Sequence, residues 1–514
     1  MKFDTILIFD FGGQYCHLIG RRIRDHNVYS EIVPYDISPK EIRKLRNKFN
    51  IKGIILSGGP SSVYEKKSPK MEKYILELPY PILGLCYGHQ LIAYRVGGKV
   101  KKAERKEYGI SFATIDKPTH ILKGLNKKER VWMSHGDTVF SLPNSFEIMA
   151  HTENCPVAVF RHKQKPIYGI QWHPEVTHTK KGDKILRNFI FGICKCEPNW
   201  NIGNLIDRFV NEIKEIADKN KAIVALSGGI DSSTVTTLAS KALGKNLTAV
   251  FVDHGFMREN EPKQISSLFK KSNIDFVSIN AKNRFLKKLK GISDPEIKRK
   301  IIGKEFIRVF ENVAKIKKAK YLLQGTIYPD RIESGYSKKS GKIKTHHNVA
   351  GLPIKIKFKG IIEPLKDLYK DEVRKLAKQL GVPKEITNRQ PFPGPGLAVR
   401  IIGEVTEEKL KILKKADKIV GEEIEKAGIK DNLWQYFAIL TNTKSTGVKG
   451  DARAYGYNIA TRIVESKEAM TANFAKIPYD ILENISTRIT NEIPSVVRVV
   501  YDITNKPPST IEWE

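Results

Sequence analysis

Cys86 lies in the run Gly84-Leu85-Cys86-Tyr87-Gly88-His89-Gln90, between an apolar stretch over residues 82–85 and a helix-like one over 91–96. A thiol on such a strand-to-helix turn projects from the sheet edge, and the positive end of the following helix favours the thiolate. Glycines on both sides suit so crowded a turn. A nucleophilic thiol also needs a base, and the base needs a group to orient it. His173-Pro174-Glu175, directly after the strand-like residues 168–171, supplies both within three positions. Ser57-Gly58-Gly59-Pro60 ends another apolar run, where free backbone N–H groups can stabilise an oxyanion. The ordinary fate of a lone cysteine is burial in a core. Two further motifs at strand ends reverse that reading for Cys86. Cys16, Cys155, Cys194 and Cys196 have no such setting and read as structural.

A second constellation is Ser227-Gly228-Gly229-Ile230-Asp231-Ser232-Ser233, between the strand-like AIVAL and the helix-like TVTTLASKAL. Glycines let backbone N–H groups approach phosphate oxygens, and a helix N-terminus adds its positive end. The hydroxyls of Ser227, Ser232 and Ser233 can donate as well. Asp231 repels phosphate directly, so a bridging Mg²⁺ is the natural reason for an acid there. No Gly-Lys-Ser/Thr follows at the spacing of a Walker loop. Asp330 and Glu333 stand three residues apart after the strand-like YLLQ of 321–324. Lys344-Thr345-His346-His347-Asn348 is a polar cluster in a Gly/Lys-rich stretch that reads as a mobile loop. The charged run 294–300 (DPEIKRK) does not look like core, and it reads either as a solvated face or as part of a site.

These motifs need elements to carry them. Residues 5–9, 53–56 and 82–85 are strand-like, each ends in a Gly-containing turn, and amphipathic stretches separate them. That is the rhythm of a parallel sheet with helical crossovers. The pattern breaks near residues 196–200, and residues 204–216 follow with helical spacing of apolar positions. Residues 222–226, 247–252 and 321–324 then repeat the α/β rhythm. Gln390-Pro391-Phe392-Pro393-Gly394-Pro395-Gly396 excludes regular structure and marks a second boundary. Mixed signals run on to the C-terminus, with residues 496–501 (VVRVVY) the clearest strand. There is no repeat, low-complexity tract or heptad pattern.

The 514 residues suggest about three domains. No run reaches the roughly 20 apolar residues that span a bilayer. The N-terminus reads as a first strand rather than a signal peptide, and five cysteines do not make a disulfide framework, so a cytoplasmic protein is expected. Lys and Arg number 89 against 56 Asp and Glu, a surplus of +33. Such a surplus fits nucleic acid, anionic small substrates or a Lys-rich surface. Because the lysines occur in every segment, the surface is the simplest reading.

Together the motifs resemble the glutamine-hydrolysing GMP synthetase family along essentially the whole chain. FDFGGQY, LSGGP, GLCYGHQ and QWHPEVTH are similar to a class I glutamine amidotransferase. LSGGIDSS, VFVDHGFMR, PEIKRKIIGKEF, QGTIYPDRIES, HHNVAGLP and EPLKDLYKDEVRKL are similar to an N-type ATP pyrophosphatase. PFPGPGLAVR, GVKGDARAY, MTANFA and KPPSTIEWE match the family's dimerisation domain. The resemblance implies an α/β fold class: two parallel-sheet α/β domains, the amidotransferase at 1–196 and an adenine-nucleotide α-hydrolase-like pyrophosphatase at 200–389. A C-terminal α+β dimerisation and XMP-binding domain at 390–514 completes it.

It further implies Cys86 as nucleophile, His173 as base and Glu175 as its orienter, with Gly58 and the Tyr87 backbone as oxyanion hole. Ser227, Gly228, Gly229, Ile230, Asp231, Ser232 and Ser233 would bind ATP, with Asp231 on Mg²⁺. Asp330, Glu333, Lys344, His346, His347, Lys370 and Asp371 map onto positions for adenylation and the lid. Asp451, Arg453, Lys506 and Glu512 map onto XMP-binding positions. His89 replaces a usual Met, Gln390 a usual His and His254 a usual Asn. The implied reaction amidates XMP to GMP with glutamine-derived ammonia and ATP, in a homodimer that engages neither nucleic acid nor membrane. The alternatives are another glutamine-dependent ATP-pyrophosphatase amidotransferase, such as an NAD or asparagine synthetase, a tRNA-modifying pyrophosphatase, and a scaffold with decayed sites. Of the positive surplus, Lys344, Lys370, Arg453 and Lys506 would meet the polyanionic ligands.

Overall fold

Apolar runs that alternate with amphipathic stretches fold here into sheets with helical crossovers. The computed structural model describes residues 2–270, 274–337, 358–387, 389–466 and 471–514. The chain divides into two compact units, Met1–Asn201 and Ile202–Glu514.

The first unit is built on strands β1 (Asp4–Asp10), β2 (Tyr29–Pro34), β3 (Asn50–Leu56), β4 (Ile82–Leu85), β5 (Lys99–Ile115), β6 (Lys128–Ser141), β7 (Phe146–His151), β8 (Val159–His162) and β9 (Ile167–Ile170). They form one sheet in the order β2-β1-β3-β4-β9-β8-β7-β5-β6. The first five in that order are mutually parallel, and β8, β7, β5 and β6 extend the sheet antiparallel. The parallel half matches the expectation from sequence. The middle of β1 and β3, and β4 and β9, are mostly apolar, as a sheet covered on both faces requires. The antiparallel extension was not expected. β5 reads KVKKAERKEYGISFATI, and its alternation is broken by a register shift between Lys102 and Glu107, so the period-2 signal is lost.

The second unit carries a five-stranded parallel sheet of β10 (Ala222–Ala225), β11 (Leu247–Asp253), β12 (Asp275–Asn280), β13 (Tyr321–Leu323) and β14 (Gly360–Ile362), in the order β12-β11-β10-β13-β14. Beyond it, β15 (Gln435–Lys449) and β16 (Ala452–Glu465) form a long hairpin joined by β17 (Asn473–Phe474), with β18 (Val496–Tyr501) parallel to β16. Residues 390–395 are free of helix and strand, as their prolines dictate, and Gly396 opens a 3-10 turn, Gly396–Arg400. Buried Ile223 and Val250 belong to the same apolar cluster as Leu397, Leu413, Ile463 and Val496. Residues 200–389 and 390–514 therefore share a core.

The charged run at 294–300 departs from its solvated reading. Asp294 caps a helix, Pro295–Lys317, by accepting from the Ile297 amide at 2.8 Å. That helix turns Lys298 fully inward, where its ammonium donates to the Ile401 carbonyl at 2.8 Å and to the Glu514 carboxylate. A buried lysine is rare unless paired, and only the distant C-terminus supplies the partner.

Candidate active site

β4 delivers Cys86 to the start of the helix Tyr87–Arg95. The turn is tight enough to hold Cys86 at φ 52°, a left-handed conformation that a non-glycine residue rarely adopts. The bracketing glycines make it possible: a Cβ on Gly84 would stand 2.5 Å from Gly88 backbone, and one on Gly88 2.4 Å from the Leu56 carbonyl. The Cys86 amide donates to the Ile170 carbonyl at 2.8 Å, which ties the turn to β9. Tyr87 opens the helix, so its amide is among the N–H groups that a helix leaves without an internal partner.

His173 follows β9 and is buried, with its Nδ1 2.6 Å from Glu175 Oε1. The Tyr15 ring packs edge-on against the imidazole at 4.9 Å. Burial pushes the imidazole pKa down, but the Glu175 carboxylate and the Cys86 sulfur outweigh it and hold it well above its usual value. Glu175 is itself fixed, since Arg22 Nε donates to its carbonyl at 2.9 Å. The Gln171 amide approaches Cys86 Sγ at 3.7 Å. Gly58 completes the wall, where a Cβ would stand 3.2 Å from His173 Cε1. The structure thus gathers Cys86, His173, Glu175, Gly58 and Tyr87 at one sheet edge. The other four cysteines are buried.

Cys86, His173, Gly58 and Tyr87 line a cavity of about 690 Å³. Sequence reasoning missed its far wall, Tyr108 and Lys106 of β5 and Ser134–Asp137 of β6. Behind it His135 is clamped, with Nδ1 2.8 Å from the Asp137 carbonyl and Nε2 3.1 Å from Glu107. Burial would raise the Glu107 pKa, but its bonds to His135, Ser111 and Thr152 hold it below the usual range. Tyr64 reaches the wall by donating to Asp137 Oδ1 at 2.9 Å. The polar run Ser134-His135-Gly136-Asp137 inside a strand was the available signal.

In the second unit, β10 leads through Gly228, at φ +79°, into the helix Ile230–Leu243. Ser227 and Ser232 bond each other, with Oγ atoms 3.0 Å apart, and Ser227 Oγ accepts the Gly229 amide at 3.3 Å. Ser233 points inward and is buried. Lys370 Nζ donates to Asp231 Oδ2. Gly325 lies against Asp231, since a Cβ there would stand 3.2 Å from the Asp231 Cβ. Asp330 Oδ2 accepts the Ile327 amide at 3.1 Å, at the start of the helix Tyr328–Ser337. The Tyr328 amide donates to the Leu368 carbonyl at 2.9 Å, which brings the Asp330 turn beside that of Lys370 and Asp371. Lys344, His346, His347 and the side chain of Glu333 lie outside the described residues.

Asp231 Oδ1 is buried and has no hydrogen-bond partner. One orphaned carboxylate oxygen at a phosphate loop fits Mg²⁺, which takes one or two carboxylates and fills its octahedron with water and phosphate oxygens. Among the described residues no group of three or more His, Cys, Asp or Glu side chains could hold an ion by itself.

The four residues mapped onto XMP are not brought together within one chain. Asp451 lies at the tip of the β15–β16 hairpin and Arg453 enters β16. Lys506 pairs with Ala472, next to the opposite end of β16, where Val464 meets Phe474. At 3.2–3.4 Å per residue, the two ends are roughly 35–40 Å apart. Glu512 is held by the buried Arg400 at 2.7 and 3.0 Å. Two of the three departures from the family pattern are core residues. His254 packs beside Phe256 and Phe285, accepts the Phe256 amide, and burial lowers its pKa to about 4. His89 is buried with neither ring nitrogen hydrogen-bonded. Gln390 spans the Tyr436 backbone, with Nε2 to its carbonyl at 3.0 Å and Oε1 from its amide at 2.9 Å.

Three family profiles tile the chain: glutamine amidotransferase class-I over residues 7–193, NAD synthase over 202–439, and GMP synthase C terminal domain over 422–513. The relatives include GMP synthases (glutamine-hydrolyzing) from Caldanaerobacter subterraneus subsp. tengcongensis and Caldicellulosiruptor saccharolyticus, each 53% identical over the full length of both chains. The Finegoldia magna GMP synthase (glutamine-hydrolyzing) is 52% identical, again end to end. Three profiles in this order and identity above one half along the whole length of both chains place the chain in the glutamine-hydrolysing GMP synthase family.

Proposed function

We propose that the chain amidates XMP to GMP with ammonia released from glutamine, and consumes ATP to AMP and pyrophosphate. The observation that carries this reading is the pairing of two intact sites: the buried Cys86–His173–Glu175 set in one unit and the Ser227–Ser233 loop in the other. Cys86 attacks the glutamine amide, the developing oxyanion is met by the Gly58 and Tyr87 amides, and the His173 imidazolium protonates the departing ammonia. Water then hydrolyses the glutamyl thioester to glutamate. In the other unit ATP adenylates the 2-oxygen of the purine, because an amide-like oxygen leaves poorly and adenylate leaves well. Ammonia then displaces AMP.

The Gly228 and Gly229 backbone, with Ser227 and Ser232, is read as the seat of the ATP phosphates, and Ser233, whose hydroxyl is turned into the core, packs beneath it. Lys370, Asp330 and Asp371 stand beside it, and Glu333, Lys344, His346 and His347 are proposed to complete the adenylation site and lid. Asp231 would hold Mg²⁺, which neutralises phosphate charge when bound. Lys506 and Glu512 are the acceptor residues closest to the tail. Asp451 and Arg453 could join that site only from a second copy, which favours a homodimer. Three functional parts at 1–196, 200–389 and 390–514 fit these roles, as does a cytoplasmic location. Among the described residues no helix is long and apolar enough to cross a membrane.

The test is AMP and pyrophosphate release with XMP, glutamine and ATP, each omitted in turn. Cys86→Ala should abolish synthesis from glutamine and leave synthesis from added ammonium. Loss of both in a folded variant would refute the two-site reading. Turnover with deamido-NAD or aspartate instead of XMP would redirect it to the other synthetases.

A further inference from the structure

A file of charged residues, with one step made by the Arg258 backbone amide, joins the residues 227–233 loop to the C-terminal tail. Arg389 Nη1 donates to the Gly228 carbonyl at 3.2 Å and also lies 2.7 Å from Glu261 Oε1. The other oxygen of that carboxylate accepts the Arg258 amide at 3.1 Å. Arg258 Nε donates to Asp417 Oδ2 at 2.9 Å. Asp417 Oδ1 accepts the Ala438 amide at 3.1 Å and stands 3.7 Å from Arg400 Nη1. Arg400 then grips Glu512 with two bonds. Phe392 of the proline loop lies under both guanidiniums, 4.7 Å from Arg258 and 5.2 Å from Arg400.

The file is an expensive way to fill a core. Glu261, Asp417 and Arg400 are all buried, and buried ion pairs are commonly matched or bettered in stability by apolar side chains of similar volume. One step is also unfinished. At 3.7 Å the Asp417–Arg400 contact is beyond hydrogen-bond range, and Arg400 Nη1 is buried with no hydrogen-bond partner. A small displacement at either end would close or open that step, while the others are already made.

We propose that Asp417 is a positioning residue that couples occupancy of the phosphate loop to the grip on Glu512, so that nucleotide at one end tightens the acceptor site at the other. This rests on the reading above, with ATP at the loop and XMP at the tail. Coupling of this kind is worth roughly 5- to 150-fold in affinity, and a chain of packed charged contacts with one loose step is a physical route for it.

The experiment uses the full chain with ammonium as nitrogen donor, so that the Cys86 site takes no part, and follows AMP release. In the unaltered protein the KM for XMP should fall at least fivefold between sub-saturating and saturating ATP. Asp417→Asn, which keeps the shape and one acceptor, should reduce that dependence to less than twofold, with kcat at double saturation changed by less than about threefold. A purely structural role would instead lower the active fraction and leave the dependence intact. A double-mutant cycle on Arg389→Gln and Arg400→Gln should be non-additive by at least threefold in KM. If Asp417→Asn does not fold, that cycle decides alone. Additivity in the cycle, or an unchanged ATP dependence in Asp417→Asn, overturns the proposal while XMP-dependent AMP release stands. Absence of that release in the unaltered protein overturns the functional reading first, and this proposal with it.

Discussion

Gly58 faces His173 with no room for a methyl group between them: a Cβ there would stand 3.2 Å from His173 Cε1 and 3.7 Å from Cys86 Cβ. That close approach is what the proposed role of the Gly58 amide, meeting an oxyanion formed at Cys86, requires. Gly58→Ala should therefore displace the imidazole or the loop by a few tenths of an ångström and lower glutaminase kcat at least tenfold, since misplacement on the ångström scale can cost 100-fold. Ammonium-dependent AMP release should be unchanged. Full glutaminase activity in Gly58→Ala would remove Gly58 from the oxyanion site.

Glu175 sets both the orientation of His173 and its charge. Its carboxylate, with the Cys86 sulfur, keeps the imidazole protonated to higher pH than usual despite burial. Protonation stabilises the fold below the free histidine pKa, and that contribution is lost as pH rises through the raised folded value. Glu175→Gln should lower glutaminase kcat/KM by roughly 10²–10⁴-fold, move the alkaline limb of its pH profile to lower pH, and flatten the alkaline fall in stability. An alkaline limb that stays in place would show that Glu175 does not tune His173.

His89 lies in the helix that follows Cys86 and is sealed in the core. Its imidazole is fully buried against Phe160, its nitrogens make no hydrogen bond of good geometry and have only weak contacts to the Val157 backbone and the Gln171 amide, and burial, helped by the nearby His135, lowers its pKa from 6.5 to about 3. Above pH 6.5 both folded and unfolded forms are neutral. As pH falls from 6.5 toward 3 the unfolded chain binds a proton that the folded one refuses, so stability declines by about 1.4 kcal/mol per pH unit. His89→Met should fill the space, stabilise the first unit by about 1–3 kcal/mol at pH 8, and remove this acid-side slope. Thermal unfolding at pH 8 and pH 5 measures both. Equal slopes in the two proteins would count against the orphaned imidazole.

Cys86, His173 with Glu175, and the Ser227–Ser233 loop were legible because each is a short local motif at the end of an apolar strand. The parallel strands that carry them were legible for the same reason. The far wall of the glutaminase cavity was not, because β5 and β6 are polar, long and interrupted by a shift in register at Lys102. The inward turn of Lys298 was illegible because its partner Glu514 lies 216 residues away. The separation of Asp451 from Lys506 was hidden too, since closeness in sequence to one motif says nothing of which end of β16 a residue occupies.

Lys298 and Glu514 offer the sharpest test of that distant pairing. Lys298 is fully buried, its ammonium meets the Ile401 carbonyl and the Glu514 carboxylate, and the Gly403 amide donates to the other oxygen of that carboxylate at 3.2 Å. Removing one partner leaves the other charge buried and uncompensated, which costs about 3–5 kcal/mol, whereas replacing both with apolar groups is often close to neutral. Lys298→Met alone should thus destabilise the second unit by that amount, and Glu514→Gln alone by somewhat less, because Lys298 keeps the backbone carbonyls of Ile401 at 2.8 Å and Ala398 at 3.5 Å. The double variant Lys298→Met/Glu514→Leu should recover most of the loss. The tail also carries Glu512, so the single variants should raise the KM for XMP, and the double variant should restore it only if the tail re-docks. Denaturant unfolding and XMP saturation on the same three proteins separate these effects. Additive destabilisation in the double variant would mean that the two residues act apart.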